Sequence, residues 1–123
     1  MSDARAVLVV EDDPMIRGLI RSALSDEGLD VAVAGDGRGA LQLAQTRRPA
    51  LVLLDLMLPD MTGASVAAGL KSRHGQDLPI IVVTADGRAA DKAAAVGAVG
   101  YLIKPFDVEH LVEMVLRRLP TRP

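Results

Sequence analysis

Cysteine and tryptophan are absent from this 123-residue chain. No disulfide, thiolate metal site or thiol nucleophile can form, which fits a reducing compartment. Other aromatic side chains are scarce: one tyrosine, Tyr101, and one phenylalanine, Phe106, are the whole supply. The core must therefore be aliphatic. Long apolar runs are also missing. The longest, Ala6 to Val10 and Ala50 to Leu54, are far short of a membrane span or a signal-peptide core, so the chain reads as cytoplasmic with no membrane contact. Nor does one sign of charge dominate: 14 Lys and Arg face 16 Asp and Glu, for a net charge of −2. Such a balance disfavours direct nucleic-acid binding.

Half of the residues are hydrophobic, enough for one domain that buries roughly two-thirds of its unfolded surface. Two domains would not fit. No tandem repeat or low-complexity stretch interrupts the chain, and the reading assigns residues 1–118 to the domain and 119–123, rich in Pro and Arg, to a short tail.

Five short runs rich in Val, Leu and Ile recur at residues 6–10, 31–34, 51–54, 80–83 and 101–103. They are continuous rather than alternating, the pattern of strands covered on both faces. Between the first two, Met15, Ile16, Leu19, Ile20, Ala23 and Leu24 recur at helical spacing, with Pro14 suited to the first turn and Gly28 to the exit. Further helices are predicted at about 38–47, 63–73, 87–96 and 107–118. Strands alternating with helices predict an α/β fold, a doubly wound five-stranded parallel sheet with five helices and right-handed crossovers. The working edge of such a sheet is where the strands' carboxyl ends emerge.

The residues at the strand ends are chemically specific. Glu11, Asp12 and Asp13 come after the first strand, Asp55 after the third, Thr84 after the fourth and Lys104 after the fifth. Clustered carboxylates without His or Cys suit a hard cation such as Mg²⁺ rather than zinc. A threonine hydroxyl and a lysine ammonium suit a phosphoryl oxygen. Acid, metal, hydroxyl and cation together describe phosphoryl transfer, with a carboxylate as the acceptor. Asp55, alone at the end of the most continuously apolar strand, is the best candidate. Taken singly, each residue has a plainer reading: Asp55 as a turn or cap carboxylate, Glu11 to Asp13 as charges at a helix start, Lys104 as a solvated lysine.

Four motifs carry a resemblance: Leu8-Val-Val-Glu-Asp-Asp-Pro14, Leu53-Leu-Asp-Leu-Met-Leu-Pro-Asp-Met-Thr-Gly63, Ile81-Val-Val-Thr-Ala85 and Gly100-Tyr-Leu-Ile-Lys-Pro-Phe106. In order and spacing they resemble the receiver domain of two-component response regulators, similar to the single-domain chemotaxis regulator. The resemblance implies a flavodoxin-like sheet of order 2-1-3-4-5. It implies Asp55 as the phospho-acceptor, Asp12 as a direct ligand of Mg²⁺ (or of Mn²⁺ in its place), Glu11 acting through water, and the Met57 carbonyl as a further ligand. Thr84, Lys104 and the Ala85 amide would bind the phosphoryl group, the Lys104–Pro105 bond would be cis, and Tyr101 would be a switch coupled to Thr84. The implied partners are a sensor histidine kinase or histidine phosphotransfer protein, and a downstream protein or second copy that reads the face formed by the fourth helix, fifth strand and fifth helix. On this reading the domain is no enzyme beyond catalysing its own phosphorylation and dephosphorylation. Glu11, Met57 and Asp86 depart from the commonest pattern at places that bear on the metal and on phosphoryl lifetime.

Two alternatives stand beside it. One is a module that binds metal at the acidic site but is never phosphorylated. The other is a dinucleotide site, because Gly35-Asp-Gly-Arg-Gly-Ala40 satisfies G-x-G-x-x-A between a strand and a helix. Against that reading, Asp36 would set a negative charge inside the pyrophosphate loop. His74 and His110 lack partner histidines and read as solvated surface residues.

Overall fold

The computed structural model describes residues 4–119. Its elements alternate without exception: β1 Ala6–Val10, α1 Pro14–Asp26, β2 Asp30–Ala34, α2 Gly37–Leu43, β3 Leu51–Asp55, α3 Gly63–His74, β4 Ile80–Thr84, α4 Ala89–Ala95, β5 Gly100–Ile103 and α5 Val108–Arg118. The strands are all parallel, in order β2-β1-β3-β4-β5. This is the expected flavodoxin-like arrangement. Of the expected tail 119–123, residues 120–123 lie outside the described residues, and Leu119 is buried against the core of the domain.

Side chains alternate across the sheet and build two aliphatic cores. Val7, Val9, Leu51, Leu53, Ile81 and Val83 face Ile20 and Leu24 of α1 and Leu111 and Val115 of α5. Leu8, Val10, Val52, Leu54 and Ile80 face Ala40 of α2 and Val66 and Leu70 of α3 on the other side. Full burial on both faces holds for β1, β3 and β4. It fails for β2 and β5, whose edge positions leave residues such as Tyr101 and Ile103 exposed. The helical stripe of α1 is also narrower than its sequence suggests. Ile20 and Leu24 are buried, but Met15 is 83% exposed and Leu19 52%.

Local chemistry sets the helix ends. Asp13 caps α1 by accepting from the amides of Met15 and Ile16. Gly28, at φ 80°, takes the left-handed turn that ends it. Two helices are shorter than predicted. The carbonyls just past α2 are claimed by α3, with His74 Nε2 2.7 Å from Ala44 O and Arg73 donating to Gln45 O at 2.7 Å. His74 is thus half-buried and bonded, not solvated. Helix α4 begins only at Ala89 because Asp86 Oδ1 accepts from Arg88 N at 2.8 Å and closes a turn before it.

Candidate functional site

The crossovers bring the carboxyl ends of four strands to one edge. β1 runs into Glu11 and Asp12, Asp55 closes β3, Thr84 closes β4 and Lys104 follows β5. Glu11, Asp55 and Thr84 are only 2%, 3% and 1% exposed. Burying such groups is costly unless they find partners, and most of their atoms do. Lys104 Nζ donates to Asp55 Oδ2 at 3.0 Å and forms an ion pair with Glu11 Oε1 at 2.8 Å. The second oxygen of Asp55 accepts from Met57 N at 2.9 Å, and Glu11 Oε2 accepts from Asp13 N at 3.1 Å.

One atom is held by charge alone. Glu11 Oε1 is buried and accepts no hydrogen bond; the lysine's approach to it lacks hydrogen-bond geometry. Burial pushes the Glu11 carboxyl up from 4.5 to about 7, with the Asp55 carboxylate adding to the push while Lys104 and the Asp13 amide oppose it. For Lys104, burial works against the ammonium, but its contacts with Glu11 and Asp55 outweigh this and raise its pKa. Carboxylate oxygens of Glu11, Asp12 and Asp55 come within 4.8 Å of one another, Asp12 being the exposed member. An all-oxygen set with two members buried fits a hard divalent cation such as Mg²⁺.

The remaining predicted residues lie on the same strands and the loops that follow them. Thr84 Oγ1 accepts from Asp86 N at 3.2 Å, and its carbonyl receives Lys104 N at 2.8 Å. Ala85 is exposed in the loop that leaves β4, and the Lys104–Pro105 bond is cis. The Met57 side chain is 69% exposed and Tyr101 42%. Asp86 pairs with Lys92 at 2.5 Å; that ammonium, with the Arg88 amide, holds its carboxyl below the ordinary range.

The glycine loop is already filled by the protein. Gly37 N and Arg38 N donate to Asp60 Oδ1 and Oδ2 at 2.8 and 2.9 Å, and Gly39 N donates to Asp36 Oδ1 at 2.7 Å. Two carboxylates take the amides that a pyrophosphate would need, so the dinucleotide reading is set aside.

Three polar residues escaped sequence reasoning. Arg17 Nη1 donates to Glu11 O at 3.0 Å. Lys71 is buried and donates to Gly97 O at 2.8 Å, tying α3 to the end of α4. Its signal was present: it follows Ala67 by four on the buried stripe of α3. Asp60 had no local signal, because its partners lie 22 and 23 residues upstream.

The family model described as "response regulator receiver domain" matches residues 7–116. The chain belongs to that family. A receiver domain so matched is 43% identical over 115 residues to the DNA-binding response regulator MtrA of Mycolicibacterium smegmatis, covering 92% of this chain and 50% of MtrA. It is 41% identical over 108 residues to the probable transcriptional regulatory protein TcrX of Mycobacterium tuberculosis, covering 86% and 46%. The chain thus spans about half the length of these curated relatives. Among solved structures, the receiver domain is similar to the chemotaxis protein CheY4 of Vibrio cholerae, with TM-score 0.85, 34% identity and coverage of 93% and 98%. It is similar also to the response regulator TrrA of Thermotoga maritima in complex with Mg²⁺-BeF, with TM-score 0.83, 30% identity and coverage of 94% and 99%. Receiver domains of two-component response regulators work with histidine kinases, and the acidic cluster of Glu11, Asp12 and Asp55 accords with that membership. Among the described residues, no helix is long and apolar enough to cross a membrane.

Proposed function

We propose that residues 1–118 form a cytoplasmic phosphorelay switch in which Asp55 is the acceptor. The observation that carries this reading is the buried Asp55 carboxylate, held by Lys104 Nζ on one oxygen and Met57 N on the other, inside a cluster of carboxylates. One Asp55 oxygen attacks the phosphorus of a phosphohistidine on a kinase or phosphotransfer protein. The P–N bond breaks and its electron pair leaves with the imidazole. With a small acyl phosphate, the P–O pair leaves with the acid. Later, water attacks the same phosphorus and returns Asp55 and inorganic phosphate.

Glu11, Asp12, the Asp55 carboxylate and the Met57 carbonyl would hold Mg²⁺, or Mn²⁺ in its place, whose charge offsets that of the phosphoryl oxygens. Lys104 supplies a point charge to the same oxygens, and Thr84 and the Ala85 amide supply hydrogen bonds. Recruiting Thr84 and Lys104 draws the loop after β4 inward and couples to Tyr101. The face formed by α4, β5 and α5 then changes for a downstream protein or a second copy. This gives the domain protein partners and no direct nucleic-acid contact; DNA binding belongs to the name of a longer relative.

Incubation of the full chain with Mg²⁺ and acetyl phosphate, followed by intact-mass measurement, should show a gain of one phosphoryl group. The gain should vanish in Asp55→Asn and with chelator. No gain from acetyl phosphate or from any phosphohistidine donor, with metal bound, would leave a metal-binding module that is never phosphorylated.

A further inference from the structure

Asp60 lies outside the acidic cluster, in segment 56–62 between β3 and α3, and its carboxylate is committed to α2. Both oxygens are used, one on Gly37 N and one on Arg38 N. Packing closes the same seam: a Cβ on Gly37 would stand 2.2 Å from Met61 Cγ and 2.9 Å from Val66 Cγ2, so Met61 fills the space the glycine leaves. The far end of the segment is folded tightly on itself. Met57 bridges to Thr62, Gly63 N donates to Leu56 O at 3.2 Å, and a Cβ on Gly63 would strike Leu56 Cα at 2.6 Å. Between these fastenings, Met57 N donates to Asp55 Oδ1.

We infer that Asp60 is a positioning residue: by clamping segment 56–62 to the first turn of α2, it holds the Met57 amide where it orients the Asp55 carboxylate. The inference rests on the proposed role of Asp55. A carboxylate that must meet both a cation and a phosphorus atom depends on orientation, and small misplacements are costly in rate. Without the clamp the segment keeps its hairpin but loses its outer anchor, so the Met57–Asp55 bond is made for a smaller fraction of the time. Asp36 provides an internal control. It caps the same helix through Gly39 N, three residues on, and accepts nothing from segment 56–62.

The test compares Asp60→Ala, Asp60→Asn and Asp36→Ala in the full chain, by Mg²⁺ calorimetry, by acetyl-phosphate labelling across a Mg²⁺ series, and by thermal unfolding. Asp60→Ala should weaken Mg²⁺ binding and slow labelling at saturating Mg²⁺ by about 3–10-fold each. Asp60→Asn, which keeps one acceptor oxygen, should fall between it and the wild type. Asp36→Ala should lower the melting temperature while both functional readouts stay at wild-type values. If Asp60→Ala matches Asp36→Ala, its carboxylate is only a helix cap and the inference is wrong. Should Asp60→Ala not fold, wild-type values in Asp60→Asn would overturn it equally. A wild type that binds Mg²⁺ but cannot be labelled would instead overturn the role of Asp55, on which this one depends.

Discussion

Helices α4 and α5 lie on opposite faces of the sheet beside β5, and they are held in different ways. Helix α5 spans 11 residues, buries Leu111 and Val115, and is capped by the Asp107 side chain accepting from Glu109 N. Helix α4 spans seven residues, buries only Ala89 and Ala93, and has no side-chain cap. Its attachments are polar and peripheral: Lys71 reaches Gly97 O after its C-terminus, and Lys92 reaches Asp86 in the loop before it. Aliphatic burial contributes roughly 1.5–3 kcal/mol for each Leu or Val side chain, whereas alanine offers a fraction of that. One helix is therefore scaffold, and the other sits within reach of the 1–3 kcal/mol typical of coupling between sites. The loop that α4 follows starts at Thr84, so the weakly held helix adjoins the site.

Removing aliphatic mass from α5 should break the contrast most strongly. Leu111→Ala should destabilise the whole domain by about 2–5 kcal/mol in denaturant unfolding, because Leu111 is fully buried in the core and its loss leaves a cavity. An unchanged midpoint would mean that α5 is not the scaffold described.

Proton release from Glu11 should sharpen the contrast by leaving it alone, since it weakens the fold as a unit. The Glu11 carboxyl titrates near 7 when folded, against 4.5 as its ordinary value. Between those limits the folded state holds a proton that the unfolded state has lost. With a chelator present, the contribution of Glu11 to stability should thus be complete below pH 4.5 and be lost as pH rises to 7, by about 1–3 kcal/mol. Added Mg²⁺ should oppose the fall by binding the ionised carboxylate. Stability that rises through this window would contradict the burial of Glu11.

The smallest effect should be the most local. Lys71→Met keeps the chain's length but withdraws the donor from Gly97 O. Amide exchange in α4 should quicken by about tenfold, roughly 1.4 kcal/mol, while α5 stays within a factor of three. Equal acceleration in both helices would erase the distinction.

Much of this was legible in one dimension. Period and length reveal five strands and five helices, and the residues at the ends of four of those strands, Glu11, Asp12, Asp55, Thr84 and Lys104, point to phosphoryl chemistry. Local signals fall short where neighbours decide. Met15 and Leu19 carry helical spacing, yet nothing covers them. The continuous apolar runs of β2 and β5 suggest cover on both faces, which their edge positions deny. Asp36 already argues against the G-x-G-x-x-A loop as a phosphate cradle, but the filling of that loop by Asp60 has no local signal. His74 looks solvated until α2 presents it with a carbonyl.

The sequence by itself determined the element order, the aliphatic character of the core, the cap at Asp13 and the identity of the residues at the carboxyl edge. These follow from propensity, period and side-chain chemistry, which act over a few residues. Only the tertiary structure decided which lysine is buried, which oxygen of Glu11 meets Lys104, that Asp60 accepts from the first turn of α2, and which helix is loosely held. Each depends on contacts between residues 20 or more positions apart, where burial changes the cost of a charge and a partner supplied by another element decides whether it is met.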